Sequence, residues 1–347
     1  MDVLLGKELI ELQSIALSVG LPRYAGKQLA EWLYVRRVKS FDEMTNISLK
    51  GREALRSSYL IGRHSPIAHA ESSDGTIKYL FEIALGGEKQ YIESVYLPEG
   101  DRATLCVSTQ AGCKMGCRFC MTGTLGFHGQ LSAAEILNQI FEIDEAAAVH
   151  HRPLLSNIVY MGEGEPFDNI DEVLRSLSVM TSAYGCGWSG KRITVSTVGV
   201  INGLKRFLDE SDCHLAISLH NPFHRERQEI MPAEKLYPIE DVIALLKQYD
   251  WFGQRRVSFE YICWGGQNDT IKHARELIRL LAGLECRINL IRFHAGVEKA
   301  FAASNERQME CFRDYLCGHG ITTTIRRSRG EDILAACGML VNSLREV

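Results

Sequence analysis

The chain of 347 residues is 46% hydrophobic and 24% charged, with 30 glycines and 8 prolines; this supplies a real core and sets aside disordered, collagenous and low-complexity classes. Lys and Arg number 39 against 43 Asp and Glu, a net charge of -4 that argues against coating nucleic acid by bulk charge and leaves local basic patches for that purpose. Apolar runs such as LLSNIVYM fall far short of the roughly 18 to 20 residues of a spanning helix, and MDVLLGKELIELQ lacks the basic start and small-residue cleavage site of a secretory signal, so no membrane segment and a cytoplasmic location are expected.

Residues 1–70 read as a small helical domain. Leu9, Leu12, Ile15 and Ala16 share one face, and a second stretch, Gln28 to Val35, carries Leu29, Trp32 and Leu33. Arg36, Arg37, Lys39, Lys50, Arg52 and Arg56 punctuate this segment, where they would grip phosphates or form a solvated face. Residues 71–102 form a connector in which TIKYLFEIA and QYIESVYLP alternate around LGGEK, the pattern of a β-hairpin. From Ala103 six β-rich runs follow, ATLCVST, NIVYMG, RITVSTVG, HLAISLH, RVSFEYIC and RINLIRF, each succeeded by a helical pattern. Repeated strand–helix units imply an α/β fold with a parallel sheet and right-handed crossovers, and six units over residues 103–320 suit a partial, open (βα)6 barrel better than a closed eightfold one. Ser132 lies three residues before Glu135, which predicts a capping box at the start of the first barrel helix. Residues 321–347 offer ITTTIRR as an extra strand and ILAACGMLVNSL as a short helix.

Without a secretion signal, the 11 cysteines read as packing residues, metal ligands or catalysts. AGCKMGCRFCMTG places Cys113, Cys117 and Cys120 in a C-x3-C-x2-C spacing on the loop after the first barrel strand. Three thiolates can hold three irons of one [4Fe-4S] cube and leave the fourth iron open to a substrate. A zinc knuckle completed by His128 is the sober alternative, while Phe119 and the position of the loop favour the cluster. This loop resembles that of the radical S-adenosylmethionine (radical SAM) superfamily. The resemblance implies that the cofactor's amine and carboxylate chelate the open iron and that electron transfer yields a 5′-deoxyadenosyl radical. Functional residues of parallel βα folds cluster at the carboxyl ends of strands. There the chain has Gly164 and Glu165, then Ser196, then Ser218, Leu219 and His220, and finally His294, all candidate cofactor contacts. Glu165 can accept hydrogen bonds from the methionyl ammonium group. Taken alone, Ser196 or Ser218 would read as a helix cap or turn residue.

The phrases DRATLCVSTQAGC, MGEGEPFDN, ITVSTVG, AISLHNP and RGEDILAACG resemble the RlmN/Cfr family of RNA methyltransferases over almost the whole chain. By that resemblance Cys337 carries a methyl group, Cys106 resolves a protein–RNA adduct by forming a disulfide, and Glu93 is the base that takes the ring proton. The logic is chemical: an electron-poor adenine carbon cannot attack a sulfonium, whereas a thiolate can, and a radical made on the resulting S-methyl group can add to the ring. Two S-adenosylmethionine molecules are implied per turnover, together with an electron donor such as flavodoxin or ferredoxin; a monomer is expected, since no long exposed apolar helix calls for a partner. The substrates implied are 23S rRNA and tRNA, modified at carbon 2 of adenosine in the RlmN type and at carbon 8 in the Cfr type; Glu93 and the GEGEP rim favour carbon 2. His294 stands where many relatives have Asn. Arg326, Arg327 and Arg329 are candidates to hold RNA phosphates, and the target base must be exposed or flipped to reach the site. Cys186, Cys213, Cys263, Cys286, Cys311 and Cys317 read as packing residues. The other readings are a radical enzyme acting on a peptide or small molecule, which needs neither Cys106 nor Cys337, and a zinc-dependent RNA-binding protein without catalysis.

Overall fold

The computed structural model describes residues 1–253, 255–294 and 301–340. Its N-terminal unit comprises β1 (Asp2–Val3), α1 (Leu9–Ser18), α2 (Ala25–Ala30), α3 (Leu49–Ser58) and β2 (Tyr59–Leu60), with β1 and β2 paired in parallel. A reciprocal cap between Glu8 and Glu11 starts α1, and Leu12, Ile15, Ala16, Leu29, Trp32 and Leu33 are buried as the 3.6-residue period requires. Then come β3 (Ala68–Glu71), β4 (Ile77–Leu85), β5 (Glu88–Glu99) and β6 (Arg102–Cys106), followed by the short pair β7 (Gln110–Gly112) and β8 (Phe127–Gln130). The barrel continues through α4 (Ala133–Val149), β9 (Leu155–Tyr160), α5 (Ile170–Thr181), β10 (Ile193–Thr197), α6 (Ile201–Glu210), β11 (His214–Ser218), α7 (His224–Ile230) and α8 (Ile239–Leu246). It ends with β12 (Val257–Cys263), α9 (Ile271–Leu281), β13 (Arg287–Arg292), α10 (Glu306–Gly318) and β14 (Thr322–Ile325).

Ten strands form one sheet in the order β14-β13-β12-β11-β10-β9-β6-β5-β4-β3. All six expected barrel strands are present and parallel, and ITTTIRR supplies β14 as a seventh parallel strand. The sheet is open, with β14 and β3 at its two ends. The hairpin is part of this sheet: β5 pairs antiparallel with β6 from Val95↔Cys106 to Glu99↔Arg102, so the segment expected as a connector extends the barrel wall. The capping box of α4 is formed as expected, Ser132 accepting from the Glu135 backbone and Glu135 accepting from that of Ser132.

The N-terminal unit and the linker after it dock on α4 through charge. Arg63 contacts Glu142 and Glu145, both at 2.7 Å; Arg37 contacts Asp144 at 2.6 Å, and Lys39 contacts Glu142 at 3.1 Å. Arg37 and Lys39, basic residues that suggested a phosphate grip, are therefore held in ion pairs with α4, Lys39 at the surface. Arg36 stacks on Trp32, and Arg52 and Arg56 bond to Asp42. Beyond β14 the chain makes a 3-10 turn at Glu331–Ile333 and irregular turns through Leu340. The expected short helix over 333–344 lies partly outside the described residues, and its described part contains no α-helix, only the end of that 3-10 turn at Ile333. Among the described residues no helix is long and apolar enough to cross a membrane.

Candidate active site

The loop bearing Cys113, Cys117 and Cys120 is closed at its base by the β7–β8 ladder and by the Cys113 N–H donating to the Gly126 carbonyl at 2.9 Å. Gly112 makes that closure possible, since its φ is +69° and a Cβ there would fall 1.9 Å from the Gly126 oxygen. Cys120 N–H donates to the Cys117 carbonyl at 3.1 Å, which winds the second half of the loop into a tight turn. Burial pushes the Cys113 thiol up to about 12 and those of Cys117 and Cys120 upward as well. Three thiols in a dry pocket ionise only if cationic iron compensates their charge, so the donor set fits a three-cysteine cluster. His128, the fourth ligand of the zinc alternative, is exposed, turns Nε2 to the Leu125 carbonyl at 2.9 Å, and takes no part in the cavity wall beside the cysteines.

That cavity, about 430 Å³, is lined by Cys113, Cys117, Cys120, Gly164, Glu165, Ser196, Ser218, His220 and His294, and also by Cys106 and Cys337. Parallel strands bring these residues together because the loops after β6, β9, β10, β11 and β13 all leave the same end of the sheet. Gly164, at φ +98°, lets the chain pass Gln110, whose Cβ would lie 2.5 Å from an added methyl. Glu165 is buried and accepts from Thr197 Oγ1 (2.5 Å), the Phe167 N–H (3.0 Å) and the Val198 N–H (2.9 Å). Burial nevertheless pushes its carboxyl up to about 7, with those hydrogen bonds opposing the rise. His220, at φ +56°, accepts the Ile262 N–H on Nδ1 at 3.1 Å and meets the Phe119 ring edge to face at 4.7 Å. Burial and then Arg227 hold it far below the ordinary imidazole range, at about 3, so the ring is neutral.

Leu219 and Glu93 are not part of the cavity lining. Leu219 is fully buried, and its carbonyl accepts from Arg227 Nε at 3.0 Å. Glu93 is fully buried on β5 with Lys78 Nζ at 3.1 Å. His294 lines the cavity and is tied to the tail, Nε2 to Ser328 Oγ at 2.6 Å and Nδ1 to Glu331 at 3.3 Å.

Cys106 packs among Val95, Ala335 and Leu340, where burial and then Cys337 push its thiol up to about 12. Cys337 is open to the cavity solvent yet deep in the molecule, and the surrounding protein pushes its thiol up to about 11 while Arg326 opposes that rise. All 11 cysteines are free thiols. The tail bearing Cys337 is pinned at both ends. Asp332 accepts from Ser72 Oγ at 2.6 Å and Gly330 N–H donates to Asp74 at 3.0 Å; further on, Gly338 and Leu340 carbonyls accept from Met121 N–H (2.7 Å) and Thr122 Oγ1 (2.9 Å) of the cysteine loop.

Two charged groups of the site escaped sequence reasoning. Arg227 on α7 is fully buried and donates to the carbonyls of Val198 (3.0 Å) and Ser218 (2.8 Å) while pairing with Glu234, thereby fixing the ends of β10 and β11. Glu260 on β12 accepts from Asn289 at 2.8 Å and faces Arg326 at 3.5 Å in the wall of the same cavity. A strand alternation that turned Glu260 inward was the only available signal.

Residues 107–281 match the Radical SAM superfamily, and residues 3–61 match the ribosomal RNA large subunit methyltransferase N-terminal domain. A dual-specificity RNA methyltransferase RlmN of Halorhodospira halophila is 39% identical over 99% of this chain and 94% of its own. Relatives assigned to the same enzyme in Bacteroides fragilis and Porphyromonas gingivalis reach 53% and 57% identity over 99% of this chain and 97% and 95% of theirs. The chain belongs to the RlmN family of radical SAM RNA methyltransferases. A crystal structure of a radical SAM methyltransferase from Sphaerobacter thermophilus superposes on this RlmN-family chain with a TM-score of 0.90 at 36% identity, covering 98% of this chain and 99% of the other. For this family a [4Fe-4S] cluster and S-adenosylmethionine are the implied cofactors.

Proposed function

We propose that this RlmN-family enzyme methylates carbon 2 of an adenosine in 23S rRNA and of the adenosine beside a tRNA anticodon, using Cys337 as methyl carrier and Cys106 as resolving thiol. The observation that carries this reading is that one cavity holds both the three-cysteine loop and the Cys106–Cys337 pair, a pair that radical enzymes acting on peptides or small molecules do not need. The relatives' dual-specificity assignment supports both RNA classes.

When bound, the cluster and cofactor supply a sulfonium methyl group and, with an electron from a flavodoxin- or ferredoxin-type donor, an adenosyl radical. Cys113, Cys117 and Cys120 would hold the cluster. Glu165 would accept the cofactor ammonium, with Gly164, Ser196, Ser218, His220 and His294 around the rest of the molecule. Cys337 takes the methyl as a thiolate, a form that the nearby Arg326 guanidinium favours against burial. After a hydrogen is removed from that S-methyl group, its carbon joins the adenine ring, and the one unpaired electron left on the adduct would pass back to the cluster when that is bound. Glu93, sealed behind the cavity wall until the adduct reaches it, then takes the ring proton; the Cys106 thiolate attacks the Cys337 sulfur, the sulfur–carbon bond breaks with its electron pair on the transferred carbon, that carbon takes up a proton to become the methyl group, and the two sulfurs form the disulfide. Arg326, Arg327 and Arg329 line the same cavity, which supports reading them as contacts for RNA phosphate.

Peptide mass spectrometry on anaerobically reconstituted protein given S-adenosylmethionine tests this reading. It expects one added methyl group on the Cys337 peptide and 2-methyladenosine in digests of treated RNA. An unmodified Cys337 overturns the methyl-carrier mechanism, and 8-methyladenosine would assign the chain to Cfr-type chemistry.

A further inference from the structure

Lys78 is the least expected charge in the protein. It lies on β4 within IKYLFEIAL, a run that reads as a buried strand, and its side chain is entirely sealed from solvent, as is that of Glu93. Removing an ammonium from water costs several kcal/mol, so a lysine kept there must meet compensating charge and oxygen. It meets both. Lys78 Nζ is 3.1 Å from Glu93 Oε1 on the neighbouring strand, and it donates to the Leu334 carbonyl at 3.4 Å. Leu334 belongs to the tail segment that carries Cys337 three residues later, and the next residue, Ala335, packs on Val95. The register aligns Lys78 with Val95 and Leu80 with Glu93, so Lys78 and Glu93 are diagonal neighbours on one face of the sheet.

We propose that Lys78 is a positioning residue for the methyl transfer: its ammonium fixes the Glu93 carboxylate by a buried contact and ties it to the segment presenting Cys337. The inference rests on the reading of Glu93 as the base. In that step the ring C–H bond breaks, its electron pair stays on the adenine, and the proton goes to a Glu93 oxygen. A carboxylate sealed from water without its cation is left with an uncompensated charge and loses the contact that aims it at the adduct. The bond to Leu334 sets the distance between base and methyl carrier, because one ammonium touches both segments.

The test uses the full-length holoenzyme with a transcript containing the target adenosine. Lys78→Met is expected to methylate Cys337 as the wild type does, then to accumulate the covalent protein–RNA adduct on denaturing gels. Its kcat should fall roughly 100-fold, the scale of a lost general base, with KM for RNA little changed. Lys78→Arg should recover part of the turnover and lose the adduct band. Wild-type turnover in Lys78→Met, or lost turnover without adduct at a methylated Cys337, overturns the proposal. If Lys78→Met yields no soluble holoenzyme, Lys78→Gln, which keeps a donor for Leu334 and removes the charge, must give the same stalled adduct. Glu93→Gln is run alongside. Full turnover in that variant overturns the base reading and this proposal with it, whereas a stalled Glu93→Gln beside a normal Lys78→Met overturns the role of Lys78 alone.

Discussion

Arg63 and Glu142 meet at 2.7 Å with side chains 1% and 4% exposed, so the joint between the N-terminal unit and the barrel contains a buried ion pair. Removing one partner leaves the other charge uncompensated in a dry contact, which costs on the order of 3 kcal/mol. Arg63→Met should lower the melting temperature and open the region near residue 63 to protease. Arg63→Met combined with Glu142→Leu should recover most of that loss, and thermal denaturation of the three proteins checks it.

Cofactor binding should strengthen as pH rises through about 7. Burial raises the Glu165 carboxyl to that value, so below it the group is protonated and cannot pair with an ammonium. Thr197→Val removes a hydrogen bond that opposes the rise, and the midpoint should then move to higher pH. Calorimetric titration with S-adenosylmethionine between pH 6 and pH 8 should show roughly tenfold weaker binding by the variant near neutrality, with the gap closing at the alkaline end.

Arg326 opposes the burial that raises both Cys106 and Cys337. Arg326→Met should slow the first methylation of Cys337 roughly tenfold at neutral pH. Because the defect is a smaller thiolate fraction, it should shrink as pH rises. Time-resolved mass spectrometry of the Cys337 peptide reads this directly, and a defect independent of pH would mean that Arg326 acts on the fold instead.

The cysteine loop predicts its own metal content. Anaerobic protein should carry about four irons and four sulfides per chain and a brown absorbance, all lost in a Cys113→Ala, Cys117→Ala, Cys120→Ala triple variant. Colourless protein with one zinc would instead support a knuckle.

Much of this architecture was legible because the patterns are local. Each of the six barrel strands follows its β-rich run, Ser132 caps α4 through Glu135, and the cysteine spacing lies on a single loop. What stayed hidden depends on distant partners. An alternating hairpin looks the same whether it stands apart or extends a sheet, so the pairing of β5 with β6 could not be read. Charged residues are usually exposed, which concealed Lys78, Arg63, Arg227 and Glu260 in the interior and sent Arg37 and Lys39 toward RNA instead of α4. Leu219 is a different case: it lies just past the end of β11, where His220 has a left-handed backbone, so it is buried outside the cavity that Ser218 and His220 line, and no strand period continues through it to show this.

The tail that presents Cys337 rests on the cysteine loop itself, through Met121 and Thr122. Oxygen that dismantles the metal site would also loosen the foothold of the methyl carrier. On the proposed mechanism, radical generation and methyl loading would then fail together, before a covalent adduct with RNA can form.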